Sequence, residues 1–137
     1  MRSPADILYH HLLGLSTIGD LMVALLRDTP DDTTSVFDTA GRLDGRLMES
    51  GKVIEHYGIQ IQVRGKVYLS TFQRALDIAD FLDATKKESV AIGSDEVYTI
   101  WNVSRTGAIV PVGIETVDDR RRHLFTLNYV ITVSQQN

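Results

Sequence analysis

Between Tyr57 and Leu82 the apolar residues change period once, across a single turn. Ile59, Ile61 and Val63 alternate with Gln60, Gln62 and Arg64, the two-residue period of a strand with one buried face. After Gly65 and Lys66, residues Phe72, Ala75, Leu76, Ala79 and Leu82 recur at helical spacing. The segment predicts a strand, a turn and a helix whose apolar faces cover each other. The opposite strand face, with Gln60 and Gln62, gains no cover from this unit.

The flanking sequence supplies more of the same layers. Ser3 is placed to cap a helix, Pro4 suits its first turn and Asp6 complements its positive end. That helix is expected from Pro4 to about Leu13, stopping at Gly14, with Ile7, Leu8, Leu12 and Leu13 on its apolar side. The run from Leu21 to Leu26 is read as a short strand by its length, residues 28–33 as a turn cluster, and Ser35 to Asp38 as another strand. Ser70 is a candidate cap for the second helix, whose end is expected near Lys86 and Lys87. Strands are expected over Val97 to Val103, Ile109 to Val112 and His123 to Val133, with turns at 105–107 and 118–120. In the last of these, Phe125, Leu127, Tyr129, Ile131 and Val133 share one face. The fold class that follows is α+β: a mainly antiparallel β-sheet with two helices packed on one face. The 137 residues are expected to form a single domain, 1–137. Residues 39–56 lack periodicity and contain Gly41, Gly45, Gly51 and many charges, so they read as a long loop. Loops of that length inside a compact domain are uncommon, and usually either serve a function or are disordered.

The same residues argue against several kinds of chemistry. The chain has no cysteine, which removes disulfides, thiolate metal sites and a thiol nucleophile. Its formal net charge is −4, the wrong sign for a nucleic-acid coat. No apolar run approaches the roughly 18 residues of a membrane span, and the N-terminus reads as a helix start, not a signal peptide. Asp38-Thr-Ala-Gly41 spells a GTPase-like Asp-x-x-Gly, the basis for a remote alternative, a small nucleotide-binding regulator. The accompanying phosphate loop is missing: the stretch from Gly45 to Val53 is mis-spaced, ends in Val53 where a hydroxyl must bind magnesium, and follows the motif instead of preceding it. His10 and His11 are adjacent and point about 100° apart on a helix, so they do not chelate one ion. Asp77 and Asp80 fall on the solvated face of the second helix, and the serines lack a nucleophile-elbow context. No catalytic, cofactor-binding or metal-binding residue is expected.

Contact surfaces are a better reading of what remains. Arg42, Arg46 and Met48 lie in the unpatterned segment. Phe81 falls well off the apolar stripe of its helix, half-exposed or covered by another chain. Gln60, Gln62, Thr126, Asn128 and Thr132 make a polar but uncharged strand face, suited to packing on a neighbouring subunit through hydrogen bonds. Arg120, Arg121 and Arg122 follow Asp118 and Asp119, reading as a charged turn or a contact to a partner protein or to DNA.

The order of parts resembles that of the tail-terminator proteins of long-tailed bacteriophages, also known as minor capsid or tail-completion proteins. The resemblance rests on the helix beginning Pro4-Ala-Asp-Ile-Leu and on Asp28-Thr-Pro30 leading into Val36-Phe-Asp-Thr-Ala-Gly41. It continues in Ile59-Gln-Ile-Gln-Val-Arg-Gly65 before a long helix, Pro111 in the penultimate strand, and Arg122-His-Leu-Phe-Thr-Leu-Asn-Tyr129. It implies a structural, non-enzymatic virion protein, made in the host cytoplasm and placed at the neck. Such proteins close a six-membered ring on the head-proximal end of the tail tube, stop its polymerisation and join it to the head. The implied partners are further copies of the chain, the tail-tube protein and a head-completion or connector protein, with DNA passing through the lumen. Another neck component, of the head-completion or tail-tube-like kind, is the alternative. An acidic or neutral lumen fits the net charge, because it lacks the counterion-release affinity of a basic channel.

Overall fold

A computed structural model describes residues 1–46, 53–117 and 120–136. In chain order its elements are α1 (Pro4–Leu12), β1 (Leu21–Val23), β2 (Thr33–Arg46), β3 (Val53–Gly65), α2 (Tyr68–Asp83), β4 (Glu88–Ile92), β5 (Glu96–Arg105), β6 (Val110–Val117) and β7 (Arg120–Gln136). The sheet runs β1-β2-β3-β7-β5-β4, with β6 also on β7. Every pairing is antiparallel except β1 with β2, so the sheet is mixed. The α+β class with both helices on one face is as expected.

β7 is the spine, because its length lets it serve three neighbours. Residues 123–131 pair with β3 along one edge. Along the other edge, 120–126 pair with β6 and 129–136 with β5, so β6 and β5 lie end to end. The alternation read from the sequence sets the faces. Ile59, Ile61 and Val63 stand opposite Tyr129, Leu127 and Phe125, and all six are buried beneath the helices. Ala75, Ile78, Ala79 and Leu82 of α2, with Ala5, Ile7, Leu8 and Leu12 of α1, complete this core. α1 packs on β1 and β2 near one edge and on β4 at the other, so the sheet curls around it.

The first helix begins as its sequence predicts: Ser3 Oγ accepts from the Asp6 N–H (3.2 Å) with Pro4 in the first turn. The second does not. It starts at Tyr68, two residues before Ser70, with no side-chain cap, and ends at Asp83, short of the lysines. β1 is only three residues long, and β4 was not foreseen because its five residues bury only Val90 and Ile92.

The largest correction concerns residues 39–56. Residues 39–46 and 53–56 are not a loop: β2 continues to Arg46 and β3 begins at Val53, the two paired as a ribbon. Pairing of β3 with β7 starts only at Tyr57, so residues before it have no third strand. Glycines and charges interrupt period-two hydrophobicity there, which is why the sequence reads as loop. Register shifts between Thr39 and Arg42, and between Leu43 and Gly45, mark bulges where the ribbon leaves the sheet. Gly41 and Gly58 allow the close approach at the first bulge: a Cβ on Gly41 would lie 2.0 Å from the His56 carbonyl oxygen, and one on Gly58 2.2 Å from that of Ala40.

The helices meet at His11. Its Nε2 lies 2.9 Å from Thr85 Oγ1, and its ring stacks on Phe81 at 4.9 Å between centroids. Thr85 Oγ1 donates to the Phe81 carbonyl (3.0 Å), so His11 is the donor to Thr85. Burial pushes the His11 pKa below its ordinary 6.5, against a smaller opposing pull from Glu88. The unfolded chain therefore takes up this proton first as pH falls, and stability should drop as pH falls below about 6.5. Melting temperatures between pH 7.5 and 5 should fall less steeply for His11→Gln than for the wild type; parallel profiles would show that His11 is not buried in neutral form.

Candidate assembly surfaces

The sheet face opposite the helices is built from the alternate residues of the same strands. Gln62 Nε2 donates to Gln60 Oε1 (3.0 Å), and Gln60 Nε2 to Asn128 Oδ1 (3.3 Å). His56 Nδ1 lies 2.8 Å from Thr132 Oγ1, and Asn102 Nδ2 donates to Ser104 Oγ (3.0 Å). Trp101, bulged out of β5 and 49% exposed, donates from Nε1 to Ser134 Oγ (2.8 Å). The Lys87 ammonium sits 4.6 Å from the centre of its ring. The expected polar, uncharged surface is thus a linked set of amides and hydroxyls across β3, β7 and β5. Its amides are already oriented by one another, which lowers the entropy cost of meeting a partner.

Two arginines share this strand face, and both are buried. Arg64 Nε donates to the Asp31 carbonyl (3.1 Å), and Nη2 to those of Pro30 (2.8 Å) and Arg27. Arg122 Nη1 donates to the Asp28 carbonyl (2.6 Å), and its guanidinium pairs with Asp28 (3.0 Å) and Asp31 (3.5 Å). The segment between β1 and β2 is held down on this end of the polar face by these contacts.

A second surface lies at the start of α2 and along β6, and the sequence reading missed it. Val67, Tyr68 and Leu69 precede the apolar stripe of α2 and are 60%, 50% and 74% exposed. Val110, Val112 and Ile114 of β6 are also exposed. Tyr68 packs edge-on to His123 (5.3 Å between centroids) and against Phe125 (5.6 Å), tying the two groups together. A hollow of about 160 Å³ between them is lined by Tyr68, Pro111, Gly113, Ile114, His123, Leu124 and Phe125. The available signal was three apolar residues in a row ahead of the apolar stripe of α2.

The structure separates the residues singled out in the sequence. Gln60 and Gln62 lie on the open polar face, half-buried. Arg42 and Arg46 belong to the ribbon strands, not to a loop, and Met48 lies outside the described residues. Phe81 does not stand free: it is partly buried against the core and covers His11 of α1, because a residue off the stripe meets the neighbouring helix. The three arginines are not a turn but the first residues of β7. Arg121 is exposed, while Arg122 on the opposite face is 1% exposed and anchors the 24–32 segment. Asp38, first residue of the GTPase-like motif, accepts from the Ala5 N–H of α1 (3.0 Å), an intrachain tie in place of a phosphate contact.

No family model matches the chain, and no curated protein matches it in sequence. Among solved structures, one chain of the "Virion of native gene transfer agent (GTA) particle" aligns with it at a TM-score of 0.52 and 12% identity. The alignment covers 96% of this chain and 94% of that one. The two chains share a fold. The match runs over nearly the whole length of both chains.

Proposed function

We propose that this chain is a structural virion protein, a tail terminator that closes a ring on the head-proximal end of a tail tube. The observation that carries the reading is the end-to-end match to a chain of a gene transfer agent virion, with neither chain leaving a domain unaccounted for. The order of sequence motifs described above supports the finer role. So does a sheet face of linked amides and hydroxyls, which suits protein contact better than free solvation. In this role the chain performs no chemistry: it stops tube growth, presents a surface to a head-completion or connector protein and lets DNA pass through its lumen. A ring needs a heterologous interface, one patch against a different patch of the next copy.

Deleting the gene tests the role. A terminator's loss should leave filled heads alongside over-long tails with unjoined ends in negative-stain micrographs. Leaking heads with tails of normal length would point instead to a head-completion protein. Absence of tubes altogether would point to a tube-like component.

A further inference from the structure

The two faces of the sheet differ in where their charges stand. Residues directly opposite on antiparallel strands share a face, so register fixes the sides. Phe37, Gln60 and Asn128 make one row across β2, β3 and β7 of the open face, and Thr132 and Asn102 another across β7 and β5. Asp38, Glu88, Glu96 and Arg105 stand opposite the core residues Ile59, Ile100, Ile92 and Tyr129, which puts all four on the helix side. At one end of the open face, Arg64 and Arg122 are covered by the 24–32 segment, and at the other Lys87 stands over Trp101. Between those ends no Asp, Glu, Lys or Arg stands on this face, along Ser35 to Thr39 of β2, Gly58 to Gln62 of β3, Leu124 to Gln136 of β7, and the paired residues of β4 and β5. A solvated sheet face is ordinarily where strands place their charges. Charge depletion with partly exposed aromatics, here Phe37 and the 49% exposed Trp101, is instead the composition of an interface core.

The same features select the occupant. A charged surface laid on this face would lose its water and meet no counter-charge, so the mate is uncharged. Duplex DNA is held through cations and finds none between the two ends. Each copy carries a net charge of −4, so copies repel as they converge, and a charge-free contact adds nothing to that repulsion. The five strands that carry the face span roughly 19 Å, and the run from Thr126 to Ser134 roughly 27 Å, about 500 Å² before side-chain relief. That is well over half of the ~800 Å² per partner of a stable contact. We propose that the open face of β3, β7 and β5 is a contact between neighbouring copies, seated on an uncharged patch of the next copy. This rests on the ring reading and deepens it by naming one of the two patches that a ring joins.

The chain's single tryptophan stands on this face and reports the contact directly. Intrinsic fluorescence and sedimentation velocity are followed together as the protein is concentrated. In the wild type, the emission should shift to the blue over the same range in which the 15.3 kDa chain becomes a ring. Asn102→Glu with Ser104→Glu, both at exposed positions, should give a monomer with unshifted emission, its fold established by circular dichroism. Gln73→Glu with Ser94→Glu adds the same charge at exposed positions off this face and should assemble as the wild type does. A wild-type ring that forms with no shift, or a folded 102/104 variant that forms rings equally well, overturns the proposal and leaves the ring reading standing. A shift that appears only when tail tubes are added to preformed rings overturns it in favour of a tube contact. A wild type that stays monomeric at high concentration, even with tail tubes present, removes both.

Discussion

Arg122→Ala is expected to destabilise the folded chain by about 3 kcal/mol in urea unfolding, against less than about 0.5 kcal/mol for Arg121→Ala next to it. The two arginines differ in what lies above them. Arg122 is 1% exposed, and its guanidinium reaches the Asp28 carbonyl at 2.6 Å and the Asp28 carboxylate at 3.0 Å. Breaking a fully buried ion pair commonly costs about 3–5 kcal/mol, because the abandoned charge stays desolvated. Here the Asp28 side chain is 61% exposed and rehydrates, and Asp31 keeps Lys66 at 3.2 Å. The expected loss is instead that of a hydrogen bond from a charged group, about 1.5–3 kcal/mol, together with the packing of the buried stem. Arg122→Met, which retains the buried stem, should recover part of the loss. Equal effects at 121 and 122 would mean that the 24–32 segment is not clamped on the sheet.

Gly58→Val is expected to cost at least about 1–3 kcal/mol, the range for forcing atoms into an already filled site. A Cβ at position 58 would lie 2.2 Å from the Ala40 carbonyl oxygen and 2.5 Å from Thr39 Oγ1. The first obstacle is main chain, so no rotamer change relieves it, and the ribbon must shift against the sheet. Gly107→Ala is the control: nothing lies within 4 Å of its would-be Cβ, so its change should stay within about 0.5 kcal/mol. Thermal melts of the two variants side by side decide the matter. A Gly58→Val protein as stable as Gly107→Ala would contradict the close approach of the Ala40 carbonyl to Gly58 at the β2 bulge.

These two residues show how legibility followed from burial on one face. Ile59, Ile61 and Val63 could be read directly because their strand has one face in the core, and so could the odd-numbered residues of β7 from Phe125 to Val133. The ribbon could not, because its glycines and charges break the alternation and read as loop. Gly58 looked like any strand-end glycine until Ala40 came to lie across it. Arg122 sat in a charged run that reads as solvated. Asp28, 94 residues away, and Asp31 make it an anchor. Of the candidate contacts, Gln60 and Gln62 were visible as the residues left over when the apolar face was assigned. The Val67 to Leu69 surface was not, because its helix begins earlier than Ser70 suggests.

The sequence alone determined the α+β class, the strand–turn–helix unit from Tyr57 to Leu82 and the polar face turned from the core, since local periodicity dictates which side of an element is buried. Tertiary structure alone decided that residues beyond Thr39 form a ribbon, that Arg122 is buried while Arg121 is not, and that apolar residues gather at the far end of β3. Each of those depends on segments distant in the chain coming together, and a local pattern carries no record of its distant partner.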